Sequence, residues 1–163
     1  MPNFADAYFE LNRVFDALNV HYFNNELPNV ALVIQSNYVT DCKGWFYPEK
    51  WEDNNGNTYH EVSISSEYLN REPIKIMETL QHQLIHVYCY ENGIKDVSRN
   101  FKYHNEKYKN EAGKRGLICE KDGYWGWIQA GFSEEFGSFI AGLSVRNVFN
   151  IGRKPGRIPP PTL

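Results

Sequence analysis

Two histidines four residues apart, His82 and His86, lie inside the run "IKIMETLQHQLIHVYCYENG", and that run constrains the fold more than any other stretch. Pro73 suits an early helical position, where its fixed φ is right and its missing N–H costs nothing. Asn92-Gly93 reads as a helix stop, so the pattern predicts a helix over about Pro73 to Glu91. Ile76, Leu80, Leu84, Val87 and Tyr88 would face the core. Residues i and i+4 on a helix project from one face with Cβ atoms about 6 Å apart. Two imidazoles at that spacing can each reach a zinc ion at about 2.0–2.1 Å.

Such a pair taken alone is more often structural than metal-binding. The context favours a metal: an apolar helix, a preceding set of strands and a third histidine, His104, opening a helix predicted over residues 104–116. His104 is the best third ligand, with Glu106 and Glu111 on the same segment as rivals. His21 and His60 lack this context and read as ordinary side chains, and Cys89 reads as core packing. The expected cofactor is Zn2+, held by His82, His86 and His104.

Between the paired histidines stands Gln83. In an H-E-x-x-H site the glutamate takes a proton from the attacking water and passes it on. An amide has nearly the same shape but cannot take that proton, so Gln83 marks a base position without a base.

Upstream, Phe4, Tyr8, Leu11, Phe15, Leu18 and Tyr22 recur at alternating steps of four and three, the stripe of a first helix ending near "NNELP". "VALVIQS" and "KGWFY" read as strands. "DNNGN" is a turn, followed by the alternating strand "YHEVSIS". The predicted fold is α+β, with an N-terminal helix and a small three-stranded, mostly antiparallel meander before the histidine helix. "ICEKDGYWGWIQAGF" carries no clear assignment, and the role of residues 123–132 stays open. "SEEFGSFIAGL" reads as a short helix capped by Ser133.

At 163 residues the chain suits one domain. Residues 1–145 form it, and residues 146–163 are a basic, Pro-rich tail containing Pro159, Pro160 and Pro161. No Asp or Glu follows Glu135, and the tail reads as solvated. The net charge of -3 argues against a broadly nucleic-acid-binding surface. Three dispersed cysteines, no signal-peptide pattern and no apolar run of about 20 residues point to a cytoplasmic monomer without membrane contact.

The segments "YFNNELPNVALVIQSN", "KGWFY", "VSISSEYLN", "METLQHQLIHVY" and "HNEKYKN" together resemble the SprT-like family of zinc metallopeptidases, over about residues 7 to 116. The resemblance implies a zincin-like fold and hydrolysis of peptide bonds by zinc-activated water. It places the zinc on His82, His86 and His104, and Gln83 at the catalytic glutamate. The chain departs from the family pattern at Gln83, at Asn105 where glycine is usual, and at Tyr108 where phenylalanine is common. It also lacks the zinc ribbon of some relatives. Gln83 admits two origins: an introduced, shape-preserving replacement that inactivates an endopeptidase, which is favoured, or a natural pseudo-peptidase that binds zinc and polypeptide without cutting. The implied partner is a polypeptide lying along an exposed sheet edge, "KGWFY" being the candidate. Family members that act on DNA-attached proteins add DNA as a weaker partner.

Overall fold

The computed structural model describes residues 3–36 and 41–155. Helix α1, Phe4–Phe23, starts where the Asn3 side chain accepts the Ala5 N–H and ends at Asn24 in the left-handed region. Leu11, Val14, Phe15, Leu18 and Phe23 carry its buried face, while Phe4 at the end of the expected stripe is 57% exposed. Strands β1, Val30–Gln35, β2, Gly44–Glu52, and β3, Thr58–Ser65, form the first sheet. Asp53 Oδ1 accepts the N–H groups of Asn55 and Asn57, which closes the β2–β3 turn.

The order is β1-β3-β2, with β1 parallel and β2 antiparallel to β3, so the sheet is mixed and not a meander. The reason lies in burial. From His60 to Ser65 every residue of β3 is buried, whereas β2 is exposed from Tyr47 onward. The apparent polar alternation of β3 misleads because Glu61 is not solvated. It accepts from Gln35 Nε2 at 2.8 Å, Ser63 Oγ at 3.0 Å and Trp51 Nε1 at 2.9 Å. A strand covered on both faces belongs in the centre. β2 is left at an edge, where Pro48 and an irregularity between Tyr47 and Trp51 are tolerated.

Helix α2, Pro73–Glu91, has the predicted limits and packs on this sheet, with Ile76, Leu80, Leu84 and Val87 buried. Two short strands follow, β4, Val97–Ser98, and β5, Tyr103–His104, then helix α3, Glu106–Lys114. The helix expected over 104–116 therefore begins later. Asn105 is its N-cap, accepting the N–H groups of Lys107 and Tyr108, and this leaves His104 on a strand. The unassigned aromatic stretch is a hairpin, β6, Leu117–Asp122, and β7, Gly126–Phe132. It completes a second mixed sheet of order β4-β5-β7-β6. Helix α4, Glu134–Gly142, is capped by the Ser133 hydroxyl as expected.

The chain beyond α4 runs back over the core as far as it is described. Phe149 is fully buried, Arg146 bonds to Glu10, and the Arg153 N–H reaches the Ser66 carbonyl. Pro159, Pro160, Pro161 and the rest of 156–163 lie outside the described residues. Among the described residues no helix is long and apolar enough to cross a membrane.

Candidate metal centre

His82 and His86 leave one face of α2, and β5 carries His104 to the same point. The Nε2 atom of His86 stands 3.1 Å from that of His82 and 3.2 Å from that of His104. These are the only three-residue cluster of candidate ligands among the described residues. Glu106 instead reaches toward Lys109, and Glu111 pairs with Lys114 and Arg115. Cys89 is fully buried, with its thiol pushed up by burial and then by nearby acids. It packs in the core. His21 stacks on Phe139 and pairs with Glu135, while His60 bridges Glu91 and the Glu49 N–H.

The backs of the rings decide what the convergent nitrogens can do. His86 Nδ1 lies 2.6 Å from the carboxylate of buried Asp96. His82 Nδ1 faces Gln129 Oε1 at 3.1 Å and the Tyr108 hydroxyl at 2.7 Å. A carboxylate and an amide oxygen accept only, so both Nδ1 atoms carry the proton and both Nε2 atoms present lone pairs. Lone pairs at such separations repel unless a cation lies among them. A tetrahedral ion at about 2.0–2.1 Å from each nitrogen would set them about 3.3 Å apart, close to what is seen. The donor set therefore fits zinc.

Electrostatics keep the rings in ligand form. Burial, then the electrostatic influence of neighbouring His86, lowers His104 to about 4. Burial, followed by His86 and His104, holds His82 well below the usual imidazole range. Both are neutral at pH 7 and can donate without first losing a proton.

His104 is fixed by its backbone, its N–H donating to the Trp125 carbonyl at 3.0 Å. That pairing depends on Gly126, which takes φ +79 and would place a Cβ 2.2 Å from the His104 carbonyl oxygen. Only glycine lets β7 approach so closely.

Gln83 is buried, between His82 and His86 in sequence. Its Nε2 lies 3.5 Å from where a Cβ on Gly44 would stand, at the start of edge strand β2. Gly44 also admits Ser63 and Thr79, each 2.8 Å from the same point, which explains the glycine before the three aromatics. Sequence reasoning singled out neither Asp96 nor Gln129. Asp96 lay in a connection without periodicity, and its only signal was a lone acid between the second and third histidines. Gln129 lay in the stretch with no assignment.

A family model described as the SprT-like family matches residues 11–116. Among curated proteins none matches the chain.

Proposed function

That this chain belongs to the SprT-like family is the premise from which we propose a zinc-dependent endopeptidase of zincin type, with the general base replaced by Gln83. The observation that carries the proposal is the convergence of three Nε2 atoms, two of them, on His82 and His86, belonging to rings whose Nδ1 faces an acceptor. His82, His86 and His104 would hold the ion. Bound zinc supplies the Lewis acidity that polarises a scissile carbonyl and lowers the pKa of water.

The chain's own residues supply the rest. Among the described residues β2 is the edge strand of its sheet, along which an extended polypeptide can add as a strand, held by main-chain hydrogen bonds. Gly44 brings that edge against Gln83, so a peptide on β2 runs beside the base position. Gln83 can hydrogen-bond a water but cannot accept its proton, which removes help worth about 10²–10⁴-fold. The alternative is a natural pseudo-peptidase that uses the same edge for binding alone.

Gln83→Glu separates the two. Zinc-loaded Gln83→Glu should cut an unstructured casein-like substrate, or itself, and a chelator should stop it. The unaltered chain should be slower by the factor above. A zinc-loaded Gln83→Glu that never cuts any polypeptide overturns the protease reading and leaves the binding module.

A second reading adds single-stranded nucleic acid as a companion ligand. Exposed Phe101, Tyr124 and Trp125 lie within three residues in sequence of the rings of two cation–ring pairs, Arg99 4.4 Å over Tyr103 and Lys109 4.1 Å over Trp127. Such surfaces stack bases and neutralise phosphates. Binding of an oligonucleotide should weaken steeply with salt. No binding, or binding indifferent to salt, removes this reading.

A further inference from the structure

We propose that Tyr108 and Gln129 form a neutral clamp that sets the tautomer and orientation of His82, making the Tyr108 hydroxyl a positioning group for the metal centre. The inference rests on the reading that the three histidines hold a metal.

Each histidine is secured differently. His86 has a carboxylate behind it, Asp96. His104 has a buried Nδ1 with no partner and relies on its strand backbone. His82 has two uncharged groups from two elements, Tyr108 on α3 and Gln129 on β7. The amide oxygen of Gln129 can only accept, so the proton on Nδ1 is required and the Nε2 lone pair is freed. The Tyr108 oxygen sits closer, at 2.7 Å against 3.1 Å, and shares that proton.

Tyr108 has a second part in the site. It is fully buried, and its ring lies 5.0, 4.8 and 4.6 Å from the rings of His82, His86 and His104. Ring and hydroxyl therefore do separable work. The ring spaces three imidazoles, and the hydroxyl orients one. Groups that orient metal-binding histidines typically change metal affinity by about 10–100-fold when removed.

Tyr108→Phe keeps the ring and removes the hydroxyl. Zinc affinity is measured by competition with a chromogenic chelator, and the thermal midpoint is measured on metal-free protein. The expected result is a Kd raised about 10–100-fold with the metal-free midpoint unchanged, and a shifted Co2+ absorption spectrum. Adding Gln129→Glu to Tyr108→Phe restores a strong acceptor at Nδ1 and should recover affinity. Tyr108→Phe binding zinc as tightly as the unaltered chain overturns the clamp while the metal centre stands. A metal-free midpoint that falls along with affinity assigns the hydroxyl to folding and also overturns it. No zinc on the unaltered chain overturns the metal reading and the clamp together.

Discussion

Gly126→Ala tests how the third histidine is delivered. Alanine at φ +79 costs about 1–2 kcal/mol in a left-handed conformation. Its Cβ would stand 2.2 Å from the His104 carbonyl oxygen, where a carbon–oxygen contact needs about 3.3 Å. β7 must then retreat from β5 by about 1 Å. That breaks the His104 N–H bond to Trp125, worth about 1 kcal/mol. The sum is about 2–3 kcal/mol, and for a chain of this size it lowers the thermal midpoint by roughly 4–12 °C. Because the retreat moves His104, zinc affinity should fall as well. Gly123→Ala, in the same hairpin with nothing within 4 Å of its Cβ, is the control and should change little. Thermal denaturation with and without chelator reads both effects. A Gly126→Ala protein that melts within about 2 °C of the unaltered chain and keeps its zinc would refute the reasoning.

Two further outcomes follow from the same contacts. Glu10 is buried on α1, where burial raises its pKa but hydrogen bonds from Arg13 and Arg146 outweigh it and leave it lowered. On acidification the unfolded chain binds that proton first, so its stabilisation is complete above roughly pH 4.5 and is lost as pH falls through the folded value. Glu10→Gln should cost about 1–2 kcal/mol at pH 7, the half-exposed arginines recovering hydration. The gap should close in acid, and urea denaturation showing a gap independent of pH would contradict this. Asp96→Asn should weaken zinc binding about tenfold by loosening His86, and an unchanged Kd in chelator competition would contradict it.

The parts legible in the sequence were those set by local chemistry. Pro73, Asn92 and Gly93 delimit α2, and Ser133 starts α4, because caps act within a few residues. The approach of His104 to His82 and His86 was legible only as residue type, since a strand and not a helix delivers it. Asn105 was the missed signal, for its side chain caps α3 and thereby excludes His104 from the helix. Sheet order was illegible because Glu61 looks solvent-facing until its partners Gln35 and Trp51 are known. Phe149 was hidden by the basic residues around it, although its ring is in the core.

The most direct test of the metal centre is the zinc content of the purified chain, by native mass spectrometry with elemental analysis, beside His104→Ala. The account predicts one zinc per chain at pH 7 and its loss in His104→Ala. A chain that binds no zinc, or a His104→Ala variant that keeps a full equivalent with undiminished affinity, would contradict it.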